Sequence, residues 1–315
     1  MSIVTLTMNP AMDIAASTAV VRPTDKMRCT TPRFDPGGGG INVARTVVAL
    51  GESVTAVFPI GGPEGIQLAE LVRVTGVPMR TVSVSEPTRQ SLSVTDESCG
   101  AQYRFVFPGP RLSSAEQHRC LVEVERAAGA ARLVVASGSL PPGVPDDFYQ
   151  RLADLLGELD IPLIVDTAGA PLHALRRGIR LLKPSVRELS DLVGHALPDR
   201  GSQLAAARDL IVNGVTEIVV LSLGSAGALL VTAENEEYFA PIRSTVASGI
   251  GAGDAMVGGL AVGLLREYAL GDAVRLGIAA ATAALATPGT QPGEPGRITE
   301  LFGTLTAPER SGVWT

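Results

Sequence analysis

Short apolar runs alternate along the chain with longer segments in which apolar residues recur at helical spacing. Residues 3–8 and 54–60 are strand-like runs, whereas the apolar residues of 41–50 repeat at the spacing of a helix that Gly51 would end. The alternation continues with strands predicted near 79–84, 132–137, 161–165, 180–183, 217–222, 227–232 and 237–241, and helices predicted near 64–75, 113–128, 146–158, 186–193, 202–213, 252–267 and 271–286. This rhythm is typical of an α/β fold in which helices flank a mostly parallel sheet with right-handed crossovers.

The alternation is interrupted between residues 89 and 107. There the side chains alternate about a Ser-Cys-Gly turn, as they do in a β-hairpin. A stretch rich in Pro, Arg and Thr, which runs through Pro36, separates the first strand from the next periodic segment. We therefore predict a small sheet outside the main layer.

Composition and charge exclude several classes of protein. With 315 residues, of which 45% are hydrophobic and only 4% aromatic, the chain suits one large domain whose strands are buried on both faces. The formal charge of −6 argues against nucleic-acid binding, which needs extended positive potential. No apolar stretch reaches the roughly 18 residues of a membrane span, and the first residues, MSIVTLTMNP, carry no basic region followed by a long apolar run. We expect a cytoplasmic protein with no membrane contact.

Cysteine and lysine usage removes further possibilities. The three cysteines are widely spaced without a C-x-x-C pair, so neither a disulfide framework nor a zinc site is indicated. The three histidines have no zinc-binding spacing and are assigned to structure or surface. Lys26 and Lys183 are the only lysines, and neither lies in a G-x-x-x-x-G-K-[ST] motif, which excludes a P-loop NTPase.

The strongest local signal is the segment Gly249-Ile250-Gly251-Ala252-Gly253-Asp254 directly before an apolar helix. The unpaired N–H groups and dipole at such a helix start suit a phosphoryl group or a developing negative charge. Asp254, in the first turn, is expected to stay ionised and could accept a proton from an attacking hydroxyl. Two alternatives remain: Asp254 is only a helix cap, or the segment binds a dinucleotide, although an aspartate then stands where the third glycine belongs.

A second glycine-rich entry into a helix runs from Gly37 to Gly40 and is followed by Asn42. Four successive glycines cost conformational entropy unless the structure requires them. They could let a polyhydroxy ligand approach the backbone. The alternative is a tight loop-to-helix connection in which Asn42 only satisfies backbone donors.

The two glycine motifs together resemble those of the ribokinase-like, or PfkB, family of carbohydrate kinases, and the likeness is closest to the minor 6-phosphofructokinase type of bacteria. The segments that carry it are TLTMNPAMD (5–13), FDPGGGGINVAR (34–45), TRQ (88–90), QYRFVFPG (102–109), SGSLPPG (137–143) and the Gly-Ala-Gly-Asp motif. The resemblance implies one ribokinase-like α/β domain over 1–315, with a β-sheet lid formed by segments about 14–35 and 88–107. It further implies ATP-dependent phosphorylation of D-fructose 6-phosphate at the C1 hydroxyl, with Mg²⁺, in a homodimer joined through the lid.

The resemblance also assigns roles to individual residues. Asp254 would be the base, and Gly251, Ala252 and Gly253 would form the anion hole. Sugar hydroxyls would be held by Asp13, placed at the end of the first strand, and by Gly38, Gly39 and Asn42, with Ser137 and Ser139 as weaker candidates. The substrate's phosphate would lie among Lys26, Arg89 and Arg104, since arginine forks suit a phosphate dianion. Lys183, Ser185, Ser222 and Gly224 would contact the nucleotide, and Glu188 would hold the metal through water.

One position departs from the family pattern. The family has Asn-x-x-Glu after a lysine-proline pair, whereas this chain has Ser185 before Glu188, which exchanges a carboxamide for a single hydroxyl. Metal affinity or phosphate contacts are expected to differ accordingly. The alternatives left open are a 1-phosphofructokinase or tagatose-6-phosphate kinase and, from another class, a regulator that binds nucleotide and sugar phosphate without catalysis.

Overall fold

The computed structural model of the chain describes residues 2–244, 249–305 and 308–310. Its strands are β1 (Ile3–Leu6), β2 (Ala11–Thr18), β3 (Arg33–Gly37), β4 (Val54–Ile60), β5 (Met79–Ser83), β6 (Arg89–Asp96), β7 (Gln102–Val106), β8 (Leu133–Ser137), β9 (Leu163–Asp166), β10 (Ile179–Leu182), β11 (Thr216–Ser222), β12 (Ala228–Val231), β13 (Glu236–Phe239) and β14 (Glu309–Arg310). Its α-helices are α1 (Gly39–Ala49), α2 (Gly62–Val74), α3 (Ser114–Ala128), α4 (Phe148–Glu158), α5 (Ala170–His173), α6 (Val186–Val193), α7 (Arg200–Val212), α8 (Ala252–Leu265), α9 (Leu270–Leu285) and α10 (Pro295–Thr304).

The larger sheet contains ten strands in the order β14-β13-β12-β11-β10-β9-β8-β1-β4-β5. From β5 across to β11 the strands are parallel, and β12, β13 and β14 extend the sheet antiparallel. The predicted mostly parallel sheet is therefore confirmed. Because the parallel strands all point one way, their carboxyl ends meet along one edge of the sheet.

Helices cover both faces of this sheet because its strands are apolar on both sides. In β1, Ile3 joins a core with α1, α8 and α9, whereas Val4 and Leu6 join the opposite core with α3 and α4. Alternate residues of a strand point to opposite faces, so a continuous apolar run gives two cores. No helix among the described residues is long and apolar enough to cross a bilayer.

The smaller sheet has four strands in the order β3-β2-β6-β7. The hairpin predicted at 89–107 is confirmed, since β6 and β7 pair antiparallel with Ser93 opposite Arg104. The sequence did not show β2 and β3 as strands, because β2 is built largely of small and polar residues and β3, an edge strand, contains Pro36. Asp13 consequently lies within β2, beside Ser91 of β6, and its predicted place at the end of the first strand is wrong.

Candidate active site

Polar side chains gather at the carboxyl edge of the parallel strands. Ser137 ends β8, Asp166 ends β9, Lys183 follows β10 and Ser222 ends β11. The strand order reverses direction between β1 and β8, and open α/β sheets bind ligands in the crevice at such a point. Asn9, just after β1, donates from Nδ2 to Ser139 Oγ across this crevice at 3.1 Å.

The glycine run at the start of α1 is required by close packing at the same edge of the sheet. A Cβ at Gly39 would lie 2.2 Å from Ser137 Oγ, so any larger residue would push the helix away from β8. The tight loop-to-helix connection considered from the sequence is therefore present. It also carries Asn42, in the first turn of α1, to the carboxylate of Asp254, which Nδ2 of Asn42 contacts at 2.9 Å.

Asp254 is the centre of this cluster. Helix α8 begins after Gly251, whose φ of 80° favours glycine, and no side chain caps the helix. Asp254 lies in the first turn, where its Oδ2 accepts from Asn42 and its Oδ1 from Ser137 Oγ at 3.5 Å. The interpretation of Asp254 as only a helix cap is wrong, because both carboxylate oxygens face residues of other elements.

The ionisation of Asp254 differs from the expectation drawn from the sequence. Burial raises the pKa of this carboxyl to about 7, and the negative charge of Asp166 adds to the rise. The hydrogen bond from Asn42, the charge of Lys183 and the hydroxyl of Ser137 act in the opposite direction. The helix end was expected to keep Asp254 ionised, whereas loss of solvation brings the pKa of Asp254 into the neutral range, where the carboxyl is only partly ionised. A carboxyl that titrates near neutrality is well matched to accepting a proton.

Lys183 and Asp166 form a buried ion pair beside Asp254. Lys183 Nζ lies 3.2 Å from Asp166 Oδ1, and the two side chains are only 5% and 15% exposed. The ammonium also lies 3.8 Å from where a Cβ on Gly253 would be, so it reaches the start of α8. The sequence analysis missed Asp166. Its signal was a lone acid at the end of an apolar strand, a position that favours a ligand site.

The arrangement has counterparts among known proteins. The sequence pattern of the family described as "pfkB family carbohydrate kinase" matches residues 6–297. The chain belongs to the pfkB family. It is 54% identical over 288 residues to the ATP-dependent 6-phosphofructokinase isozyme 2 of Mycobacterium tuberculosis H37Rv, a match covering 91% of this chain and 85% of that protein. The isozyme 2 of Escherichia coli K12 is 42% identical over 291 residues, covering 92% and 94%.

A solved structure is also similar to this chain over almost its whole length. Phosphofructokinase-2 from Escherichia coli, crystallised in complex with substrates and products, matches with a TM-score of 0.92 and 39% identity, covering 97% of this chain and 99% of that one. The ribokinase-like fold and the pfkB assignment predicted from the sequence are confirmed. As a pfkB carbohydrate kinase the protein is a phosphotransferase with ATP as co-substrate.

On the side of the small sheet, the pfkB kinase has a cavity of about 340 Å³. Asp13, Ser91 and Arg104 line this cavity together with Thr290, which lies on the loop between α9 and α10. Burial raises the pKa of Asp13 to about 6, while the nearby charges of Arg89 and Arg104 oppose the rise. A pocket that carries this set of charged groups suits an anionic polyol.

The two remaining basic candidates are placed differently. Arg89 lies near Asp13, but its guanidinium donates to the carbonyl oxygens of Asn9 and Phe107, at 3.0 Å for the shortest bond, and so also holds the small sheet to the end of β1. Lys26 lies on the exposed loop between β2 and β3 and does not line the cavity. Its contact with a substrate phosphate stays a prediction.

On the opposite side, the candidate nucleotide residues lie at the ends of β10 and β11. Ser185 and Ser222 face each other in a parallel bridge, and Gly224 opens the short turn that follows. Ser185 caps α6: its Oγ accepts from Glu188 N at 3.3 Å, while Glu188 Oε2 accepts from Ser185 N at 2.8 Å. The serine in place of the family asparagine thus forms a capping box that fixes one oxygen of Glu188.

Proposed function

We propose that the protein transfers the terminal phosphoryl group of ATP to the C1 hydroxyl of D-fructose 6-phosphate. The observation that carries this proposal is the position of Asp254, in the glycine-rich first turn of α8 and in contact with Asn42 of α1. Arg45 of the same helix α1 donates to Thr290, which lines the cavity together with Asp13 and Arg104. A base, an anion hole and a basic grip for a second phosphate are the parts that such a transfer needs.

The sugar phosphate is held between the two sheets in this account. Arg104 and Arg89 bind its 6-phosphate, and Lys26 approaches from its exposed loop. Asp13 and Asn42, with the backbone at Gly38 and Gly39, bind the ring hydroxyls, and Ser139 closes the crevice near Asn9. This orientation directs the C1 hydroxyl to Asp254, and such positioning contributes much of the rate in phosphoryl transfer.

The chemical step is carried by the start of α8. Ionised Asp254 accepts the proton of the C1 hydroxyl as its oxygen attacks the terminal phosphorus of ATP. The backbone N–H groups of Gly251, Ala252 and Gly253 stabilise the negative charge on the transferring group, and Lys183 adds a positive charge beside them. Asp254 is then protonated and ADP leaves.

ATP lies along the ends of β10 and β11 in this proposal, beside Ser185, Ser222 and Gly224. Within the described part of the chain no group of three or more acidic, histidine or cysteine side chains could enclose a metal ion. A single carboxylate such as that of Glu188 is compatible with Mg²⁺, because Mg²⁺ binds few protein carboxylates and keeps waters and phosphate oxygens as ligands. Glu188 would hold Mg²⁺ through water, and the bound ion would supply positive charge against the phosphates.

The small sheet serves as a lid and as a dimer contact in this account. Strand β7 is exposed along its whole length, and Phe105 and Phe107 leave 51% and 52% of their surfaces accessible. An exposed apolar edge strand tends to pair with another chain. We propose that two such sheets pack together in a homodimer, so that each lid closes over its own cavity and excludes water.

The proposal is tested by ADP release from the purified protein with Mg·ATP and a panel of sugars. Release should depend on D-fructose 6-phosphate and be much slower with fructose 1-phosphate, tagatose 6-phosphate or the free sugars. Faster ADP release with one of the other sugar phosphates would identify that compound as the substrate and leave the proposed type of reaction unchanged. Binding of sugar phosphate and nucleotide without sugar-dependent ADP would instead identify a regulator.

Arg104→Ala should raise the KM for the sugar phosphate roughly 10- to 100-fold and leave kcat within a few fold, because charge-assisted hydrogen bonds to a phosphate are lost. Initial rates over a range of sugar phosphate concentrations measure this. Arg126→Ala is the matched control, since Arg126 is an exposed arginine of α3 paired with Glu123. Equal KM values for the two variants would remove Arg104 from the phosphate site.

The pH profile should follow Asp254. With the pKa of Asp254 at about 7, kcat/KM should fall about tenfold per unit below that pH, since protonation removes the base. Ser137→Ala, which deletes a hydroxyl that lowers the pKa of Asp254, should move this acid limb to higher pH. A limb near pH 6 that stays in place in the variant would belong to the substrate's phosphate instead.

A further inference from the structure

Arg45 of α1 is a buried cation to which the account above assigns no role in the reaction. Only 6% of its surface is accessible, and none of the ion pairs within the described residues includes it. Its Nε has no hydrogen-bond partner in that part of the chain. Burying a guanidinium without a direct carboxylate partner is costly, so a buried arginine at this position calls for an explanation beyond stability.

The contacts of Arg45 come from one nitrogen, NH1. It donates to Thr290 O at 2.9 Å, to Thr290 Oγ1 at 3.1 Å and more weakly to Asn42 Oδ1 at 3.4 Å. Asp35 and Asp13 act on Arg45 at longer range with favourable charge, and Arg33 with unfavourable charge. The guanidinium therefore joins two elements, the first turn of α1 and the loop after α9.

The hydrogen bond from Arg45 NH1 to Asn42 Oδ1 sets the orientation of the Asn42 amide. A guanidinium can only donate, so the amide must turn its oxygen towards Arg45 and its NH₂ group towards Asp254. This is the observed arrangement, with Nδ2 donating to Asp254 Oδ2. An inverted amide would place its oxygen against the carboxylate, which would favour the protonated form of Asp254 and remove the donor offered to the sugar.

The hydrogen bonds from Arg45 NH1 to Thr290 reach the other side of the reaction centre. Thr290 is buried, and its Cα lies 3.5 Å from where a Cβ on Gly251 would be, so the loop that carries it packs behind the start of α8. A bond from α1 to this loop holds the sugar side and the phosphoryl side of the site in one geometry. Displacements of about 1 Å between reacting groups cost roughly 100-fold in rate.

We propose that Arg45 is a positioning residue, which orients the Asn42 amide towards Asp254 and ties the first turn of α1 to the loop behind Gly251. It touches neither substrate. The role rests on the proposed function, since it acts through the base and the anion hole assigned there. Its loss should reduce turnover more than substrate binding.

The test compares Arg45→Met, Arg45→Lys and the wild type. Arg45→Met should lower kcat roughly 10- to 100-fold while the KM for the sugar phosphate changes less than about threefold. The acid limb of the pH profile should move to higher pH, because the amide no longer favours ionised Asp254. Arg45→Lys should recover part of the rate, since a single ammonium keeps a donor but lacks the planar fork.

Arg275→Met is the matched control for stability. Arg275 of α9 is another part-buried helical arginine, which pairs with Asp272 and donates to the carbonyl oxygens of Phe302 and Leu305 at the end of α10. It should lower the melting temperature without moving the acid limb. The positioning role of Arg45 would be excluded if the kcat of Arg45→Met were unchanged. It would also be excluded if kcat fell while the acid limb of the pH profile stayed at the same pH, as in a merely destabilised protein. Thr290→Val, which removes one acceptor at nearly constant volume, should act in the same direction within a few fold if Arg45→Met does not fold.

A readout without catalysis separates this inference from the proposed function. The Asp254 carboxyl carbon can be followed by ¹³C NMR, with its signal assigned by its absence in Asp254→Asn. It should titrate at higher pH in Arg45→Met, or in Thr290→Val, than in the wild type. If the wild type released no ADP with any sugar phosphate, the proposed function would fail, whereas this titration would still decide the positioning. An unchanged titration would overturn it.

Discussion

Asp254→Asn is expected to lower kcat by roughly 10²- to 10⁴-fold, the contribution typical of a positioned general base. Asparagine keeps the size of the side chain and can still accept from Asn42, but it cannot take the proton of the sugar hydroxyl. Steady-state ADP formation at saturating substrates measures the loss. The KM values should change little, since binding groups remain.

The fold of this variant should not suffer. The pKa of Asp254 is higher in the folded protein, at about 7, than the ordinary 3.8, so ionising this carboxyl at high pH weakens the folded state. Asp254→Asn should therefore be at least as stable as the wild type at pH 8 in urea unfolding. Asp272→Asn, in the first turn of α9, is the matched control and should keep kcat within about twofold. Near-normal turnover of Asp254→Asn would remove the proposed base.

Lys183→Met should destabilise the protein by about 3–5 kcal/mol, since it leaves the buried carboxylate of Asp166 without its partner. Urea unfolding followed by circular dichroism measures the change in the free energy of unfolding. Activity should fall as well, because the positive charge beside the anion hole is lost.

The double variant Lys183→Met/Asp166→Leu distinguishes this pair from simple packing. Removing both charges should recover part of the lost stability, as a coupled pair does in a double-mutant cycle. Burial raises the pKa of Asp166 and Lys183 opposes that rise, so the lone carboxyl of the single variant should also protonate more readily. Additive losses in the double variant would show that the pair is not coupled.

Local patterns predicted most of the main sheet because its signals are short-range. Helix α6 is observed at Val186–Val193, where it was predicted, and a capping box of Ser185 and Glu188 fixes its start. The hairpin of β6 and β7 was equally visible from its alternation. By contrast β2 and β3 are held by pairing with each other and with β6, partners that no local pattern reveals. The short α5 and the helix α10 were also not predicted.

The site was predictable as far as glycine motifs and family resemblance extend. Asp254 and Asn42 were singled out although 212 positions separate them, and they are in contact. The pKa of Asp254 could not be foreseen, because it depends on burial and on Asp166, which only the packing of β9 brings near. Arg45 followed Asn42 in a recognised motif, yet its role depends on Thr290, on a loop whose position the sequence does not reveal.

The product of the reaction tests the central claim most directly. Purified protein incubated with Mg·ATP and D-fructose 6-phosphate, followed by ³¹P NMR, should convert the sugar into fructose 1,6-bisphosphate as ADP accumulates in equal amount. No second phosphate should appear on the sugar with Asp254→Asn over the same time. ADP and inorganic phosphate formed without a bisphosphate, or a phosphate attached at another hydroxyl, would contradict the placement of C1 at Asp254.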